Sequence, residues 1–241
     1  MSGHSKWATT HRQKAIVDAK RGAIFTKIGN QIAIAARGGT DPATNSALAM
    51  AIEKAKAANM PNANIQRAID RVNDKNAAAL EEVTYEAYGP GGVGIIVEAA
   101  TDNKNRTYPE IRTALTKNGG TMADAGSVMF QFTRKGVIRV AATGEDALLQ
   151  VLDAGAEDAV EESGGLTVYT DMKDLAKVRA ALVQAGLNVE DAELQYVANN
   201  DVPVGDTETA RKLMKVLDAV EELDDVTNVH TNADITVDID E

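Results

Sequence analysis

Apolar positions in the first 75 residues recur at the spacing of α-helices. Three such stretches are separated by Gly38-Gly39 and by Met60-Pro61, both of which are helix-ending signals. We expect the first helix over residues 18–37, the second from the start signal Asp41-Pro42 to about Asn59, and the third through Ile65, Ala68, Ile69 and Val72. Residues 1–75 therefore predict a basic arm followed by a small helical module, and residues 73–79 read as a linker.

From residue 83 onward, short apolar strands alternate with helical segments. Strands are expected at 93–97, 127–132, 137–140, 159–161, 166–170, 189–197 and 226–229, and helices at 108–118, 145–154, 172–185 and 206–223. Residues 134–202 follow the order β-α-β-β-α-β, which is the ferredoxin-like pattern. Residues 80–133 plus 203–241 would complete a second unit of the same kind. The sequence thus predicts an α+β protein of three domains: an N-terminal helical module plus two ferredoxin-like α+β domains, one inserted in the other.

Charge is distributed very unevenly along the chain. Residues 1–75 carry twelve Lys and Arg against five Asp and Glu, whereas residues 76–241 carry thirteen against thirty-one. A basic arm on an acidic body is typical of a protein that contacts a polyanion at one end. Nucleic acid is the commonest such polyanion, because each phosphate that Lys or Arg neutralises releases a counterion. Docking of the arm on the acidic body of the same molecule is the alternative.

The candidate nucleic-acid contacts are the basic and aromatic side chains of the first 40 residues: Lys6, Trp7, His11, Arg12, Lys14, Lys20, Arg21, Lys27 and Arg37. Trp7 could stack on a base, although such a side chain more often anchors an arm to a core. A secondary anion patch is expected where a strand ends and a helix starts, at Asn103, Lys104, Asn105, Arg106 and Thr107. A plain capping loop is an equally good interpretation of this segment.

No motif for catalysis, for a nucleotide cofactor or for a metal is found. Gly89, Gly91 and Gly94 match G-x-G-x-x-G, but a strand follows them, which favours a turn between strands. The sequence has no cysteine, no H-E-x-x-H, no P-loop and no G-x-S-x-G. We therefore expect no enzymatic activity, no cofactor and no metal, with a hydrolase in an interdomain cleft as a minor alternative. Without an apolar leader or a run of about 20 apolar residues, the chain is expected to be cytoplasmic and without membrane contact.

Long blocks of the sequence match a known family pattern. They include Gly3-His4-Ser5-Lys6-Trp7, Asp18-Ala19-Lys20-Arg21-Gly22, Lys54-Ala55-Lys56-Ala57-Ala58-Asn59-Met60-Pro61, Tyr85-Glu86-Ala87-Tyr88-Gly89-Pro90-Gly91-Gly92, Thr101-Asp102-Asn103-Lys104-Asn105-Arg106-Thr107 and Leu223-Asp224-Asp225-Val226-Thr227-Asn228-Val229. Together these blocks resemble the YebC family. The resemblance implies three domains in the arrangement given above, and a probable transcriptional regulatory protein that binds duplex DNA. One mitochondrial relative is regarded as a translational activator, and bacterial members have been proposed to ease elongation at proline runs. Binding to ribosomal RNA and the ribosome is therefore the alternative that the family implies.

Overall fold

The computed structural model describes residues 21–74, 78–162 and 164–237, with Arg21 described by its backbone only. These ranges contain the helices α1 (Arg21–Ala36), α2 (Ser46–Ala57), α3 (Asn62–Asp70), α4 (Lys104–Asn118), α5 (Glu145–Asp153), α6 (Leu175–Gln184) and α7 (Thr207–Glu221). The strands are β1 (Glu81–Tyr88), β2 (Gly94–Thr101), β3 (Thr121–Met122), β4 (Phe132–Val140), β5 (Asp158–Glu162), β6 (Gly165–Thr170), β7 (Val189–Ala198), β8 (Val202–Val204), β9 (Val226–Thr231) and β10 (Ala233–Ile235). The chain is an α+β protein with a helical N-terminal region, as predicted.

Two compact units make up the chain. The first combines the residues up to Thr133 with those from Ala198 onward, and the second is Arg134–Val197. At the junction the backbone N–H of Asn199 donates to the carbonyl oxygen of Gln131 at 2.8 Å. The two connecting segments therefore run side by side where the second unit begins and ends.

The helical region of the first unit has its own apolar cluster. Ile28 and Ile32 of α1 pack with buried side chains of α2 and α3. The predicted start of α2 at Asp41 was wrong, because the Asn45 side chain, four residues later, accepts the Leu48 N–H and thereby caps the helix. The third helix also ends earlier than predicted, since Val72 lies in a 3-10 turn and is 40% exposed.

The main sheet of the first unit has the strand order β3-β1-β2-β9. β1 and β2 form an antiparallel hairpin joined by the glycine-rich loop at residues 89–92, as the turn interpretation predicted. Gly91 in this loop has φ +79°, a conformation that glycine adopts without strain. Buried side chains of α4 and α7 form one cluster with those of β1, β2 and β9, so both helices cover the same face of this sheet.

The second unit has the predicted β-α-β-β-α-β order, formed by β4, α5, β5, β6, α6 and β7. Its sheet order is β5-β6-β4-β7. The main sheet of the first unit has the same spatial order if β2, β3, β1 and β9 are counted as strands one to four. β1 thus occupies the position of a third strand although it comes first in the chain. The sheet is therefore a reordered ferredoxin-like pattern, in which the third strand alone comes from before β2 and lies in the middle of the sheet.

Three further predictions about elements were wrong. Residues 127–132 do not form a strand, because the carboxylate of Glu86 accepts the backbone N–H groups of Gly126, Val128 and Met129. Those donors are therefore not available to a sheet, and a 3-10 turn over Met129–Gln131 precedes β4. α4 starts at Lys104 rather than at residue 108, and α6 starts at Leu175 rather than at residue 172. The parallel pair of β8 and β10 was not predicted.

Candidate nucleic-acid interface

Most of the predicted contacts in the basic arm are not described by the structure. Six of them lie outside the described residues: Lys6, Trp7, His11, Arg12, Lys14 and Lys20. Arg21 is the first residue of α1, and only its backbone is described. The arm therefore leads directly into the first helix of the helical region, and its role in binding stays a prediction.

The two remaining cations of this set hydrogen-bond to backbone carbonyls. The Lys27 ammonium donates to the carbonyl oxygen of Glu221, the last residue of α7. The Arg37 guanidinium donates to the carbonyl oxygen of Leu80 at 3.0 Å, just before β1. Both bonds connect the helical region to the rest of the first unit. As contacts to nucleic acid, Lys27 and Arg37 stay predictions.

The predicted anion patch, residues 103–107, lies at the start of α4. The Asn103 side chain accepts the backbone N–H of Arg106 at 3.2 Å and so caps the helix. Asn105 is exposed, and the Thr107 hydroxyl donates to the carboxylate of Asp225 at 2.6 Å. The segment is thus a helix-capping turn, which was one of the two interpretations of the sequence.

Carboxylates compensate both cations of this patch. The Lys104 ammonium lies 2.6 Å from a carboxylate oxygen of Glu81. The Arg106 guanidinium lies 2.7 Å from Asp225 and 3.2 Å from Asp102. A phosphate would have to compete with these acids for the same donors. The anion patch stays a prediction, and its two charges are already paired in this structure.

Asp225 is held in its ionised form by these neighbours. Burial alone would raise the pKa of its carboxyl group. Hydrogen bonds from Thr107 and Arg106, together with the Arg106 charge, outweigh burial, so the pKa lies below its ordinary value. The Arg106–Asp225 pair therefore stays ionised at neutral pH and links the start of α4 to the loop between α7 and β9.

An acidic cleft of about 590 Å³ borders this ion pair. Its charged lining consists of two arginines and five carboxylic acids: Arg71, Arg106, Asp102, Glu110, Glu222, Asp224 and Asp225. The excess of carboxylates repels a phosphate backbone. Any contact to a phosphate backbone is therefore more favourable on other parts of the surface.

Two cations on the exposed face of α4 are better placed for such contacts. Of the seven cations between residues 101 and 140, Lys104, Arg106, Lys135 and Arg139 pair with carboxylates, and Arg134 lies over the ring of Tyr196. Arg112 and Lys117 are exposed, and among the described contacts neither has a carboxylate partner. Neither cation has an Asp or Glu three or four residues away in the helix. The absence of an ion pair within the helix could therefore be predicted from the sequence.

Metal binding and membrane insertion find no support in the described part of the chain. Over residues 21–74, 78–162 and 164–237, no three His, Asp or Glu side chains are grouped so that they could hold a metal ion. In the same ranges, every helix is too short or too polar to cross a membrane.

Comparisons with known proteins match nearly the whole chain. The family model for the TACO1/YebC protein N-terminal domain matches residues 5–75, and the model for the TACO1/YebC second and third domain matches residues 80–233. A probable transcriptional regulatory protein of Parafrankia sp., Franean1_5147, is 49% identical and covers 99% of this chain and 98% of that protein. One from Salinispora tropica is 50% identical and covers 97% and 96%. The crystal structure of the conserved hypothetical protein Aq1575 from Aquifex aeolicus is 41% identical, with a TM-score of 0.89 over 95% of this chain and 96% of that chain.

Proposed function

The chain belongs to the TACO1/YebC family, and we propose that it is a cytoplasmic, non-enzymatic transcriptional regulatory protein that binds DNA through its basic N-terminal quarter. Relatives about half identical to it are named probable transcriptional regulatory proteins, so a role in regulation follows from the family. We also propose the division into a helical module, a middle domain and an inserted domain, residues 134–202.

The observation that carries the DNA-binding part is the segregation of charge. Lys and Arg outnumber acids by seven over residues 1–75, and acids outnumber Lys and Arg by eighteen over the rest. A polyanion is attracted by the first region and repelled by the second, so the field of the protein orients the complex. The acidic cleft has the charge expected of the repelling side. Arg112 and Lys117 are then the exposed cations of the body that could extend the contact.

The translational alternative is not favoured, because the relatives reported above carry transcriptional names. Competition binding separates the two roles. Labelled duplex DNA is bound at physiological salt, and either unlabelled duplex or ribosomal subunits are added. We expect the duplex to compete well, with little difference between a promoter fragment and a scrambled duplex. Strong competition by ribosomal subunits together with weak competition by duplex would reverse the assignment.

A charge-removal variant tests the arm itself. Replacing Arg12, Lys14, Lys20 and Arg21 with Ala should weaken duplex binding strongly. If each cation contacts one phosphate, the slope of log K against log salt should flatten by about 3.6. The slope is measured by fluorescence anisotropy at several salt concentrations.

A matched control removes the same charge from the body. It replaces four exposed lysines with Ala: Lys173, Lys177, Lys212 and Lys215. This control should keep the wild-type slope. Equal slopes for the arm variant and the wild-type protein would show that the arm is not the contact.

A further inference from the structure

The acidic cleft contains a buried amide side chain without a hydrogen-bond partner. Asn30 of α1 lines the cleft and is only 8% exposed. Among the hydrogen bonds of the described residues, none involves its side chain. A buried amide has two N–H donors and a carbonyl acceptor, and leaving them unsatisfied is unfavourable. This side chain therefore indicates that the cleft receives an occupant with polar groups.

The charge of the cleft shows which kind of occupant is favoured. Both of its arginines contact Asp102, Arg106 at 3.2 Å and Arg71 at 3.8 Å. Glu110 and Asp224 are exposed, and no ion pair among the described residues includes either of them. The cleft thus combines two uncompensated carboxylates with an unpartnered amide. A cationic segment with N–H donors satisfies both features.

The chain carries such a segment directly beside the cleft. The basic arm, residues 1–20, has four Lys and Arg and one acid, and it continues into α1 at Arg21. Thr26 and Asn30 of the same helix line the cleft. At 1.5 Å per residue, Thr26 lies only about 8 Å along the helix from Arg21. Twenty extended residues reach up to about 66 Å, so the arm is long enough to turn back into the cleft.

The face of α1 that leads from the arm to the cleft is open. Gly22, Thr26 and Asn30 are spaced four residues apart and therefore lie on one face of the helix. The Thr26 hydroxyl donates to the carbonyl oxygen of Gly22 at 3.1 Å. Apart from the backbone of α1 itself, no described atom would lie within 4 Å of a Cβ at Gly22. A segment returning along this face displaces no described side chain at Gly22.

We propose that the acidic cleft is the docking site of the protein's own basic arm, residues 1–20, when no DNA is bound. Arm cations pair there with Glu110 and Asp224, and an arm donor bonds to the Asn30 side chain. Because the arm is covalently attached, its effective concentration at the cleft is of millimolar order.

Docking adds a regulation to the proposed DNA binding, and only this second step rests on that proposed function. The cleft carboxylates and the phosphates of DNA compete for the same arm cations. An arm that is docked in about nine molecules out of ten lowers the apparent affinity for DNA about tenfold. The cleft therefore disfavours weak, non-specific binding.

Zero-length cross-linking tests the docking without DNA. A carbodiimide joins a lysine to a carboxylate where the two are in contact, and mass spectrometry maps the linked peptides. In dilute full-length protein at low salt, we expect monomers in which Lys14 or Lys20 is linked to Glu110 or Asp224. About 1 M salt, which shortens the Debye length to about 3 Å, should abolish these links. Cleft links only between two molecules, or no link from residues 1–20 to a cleft acid, would overturn the docking.

A cleft variant tests the competition with DNA. Glu110→Gln combined with Asp224→Asn removes the two uncompensated charges and should bind duplex DNA about tenfold more tightly than the wild-type protein. The matched control, Asp153→Asn combined with Glu161→Gln, removes the same charge from the second unit and should gain much less. All four side chains are exposed, so circular dichroism should show both variants folded.

The two experiments fail in different ways. Equal affinities of the cleft variant and its control would overturn the competition between the cleft and DNA. No binding of duplex DNA by any of the three proteins would overturn the proposed function and the regulation with it. The cross-links are formed without DNA, so they decide in either case whether the arm docks.

Discussion

Replacing Glu86 with Gln should destabilise the first unit by about 2–4 kcal/mol. The carboxylate accepts three backbone N–H groups, one through one oxygen and two through the other. An amide offers only one oxygen, so at least one N–H loses its partner and faces an NH₂ group instead. A buried donor left unsatisfied costs about 1–3 kcal/mol, and the remaining bonds lose their charge assistance.

The same substitution should reduce the sensitivity of the protein to acid. Burial alone would raise the pKa of Glu86, but the bonds from Gly126, Val128 and Met129 outweigh it and lower the pKa below its ordinary value of 4.5. A carboxyl group with a lowered pKa stabilises the fold fully above the pKa of the unfolded chain. This stabilisation is lost as the pH falls through the lowered pKa. The difference between the wild-type protein and Glu86→Gln should therefore be largest near pH 7 and shrink below about pH 4.5.

Urea unfolding followed by circular dichroism measures the free energy of unfolding of both proteins at pH 7, 5.5, 4.5 and 3.5. Glu82 is an exposed neighbour on β1, so Glu82→Gln is the matched control and should stay close to wild type throughout. The reasoning fails if Glu86→Gln unfolds within about 0.5 kcal/mol of the wild-type protein at pH 7. It also fails if the difference stays constant over the whole pH range.

Four further outcomes are expected. Asn45→Ala should lower the free energy of unfolding by about 0.5–2 kcal/mol through loss of the α2 cap, and an unchanged melting temperature would contradict this. Gly89→Ala should destabilise by about 1–3 kcal/mol, because a Cβ there would lie 2.8 Å from a side-chain carbon of α7; a stable variant would contradict the close approach. Asp225→Asn should make unfolding less dependent on pH below the ordinary aspartate pKa of 3.8, measured by urea unfolding. Arg112→Ala combined with Lys117→Ala should flatten the salt slope of DNA binding by about 1.8, and an unchanged slope would remove α4 from the interface.

Local signals predicted the elements that local interactions form. The end of α1, the turn between β1 and β2 and the order of elements in the second unit follow from periodicity and from glycine placement. The errors have non-local causes. The N–H groups of Gly126, Val128 and Met129 donate to a carboxylate that lies 40 to 43 residues earlier in the chain, and no pattern within that stretch reveals it. The reordered sheet likewise depends on a pairing that the order of elements does not show.

In the candidate site, too, local features could be predicted from the sequence and non-local contacts could not. The concentration of cations in the first quarter of the chain is visible in the sequence. The pairing of Arg106 with Asp225 is not, because 119 residues separate the two. Spacing rules for helices would have separated Arg106, which has acids four residues away on both sides, from Arg112 and Lys117, which have none. The anion patch was predicted at the start of α4, and the cations there, Lys104 and Arg106, pair with carboxylates in the structure.

The hydrogen bond between Asn199 and Gln131 has a consequence for how the protein folds. The chain enters and leaves the second unit through the two segments that this bond joins. If that unit is unfolded, the first unit must close a flexible loop of roughly 60 residues, an entropic cost of about 4 kcal/mol. Once the second unit has folded, its two ends are already held together. The folded second unit thus stabilises the first unit by holding these two segments together. A mutation that unfolds only the second unit should therefore lower the stability of the main sheet of the first unit, although no side chain of that sheet has changed.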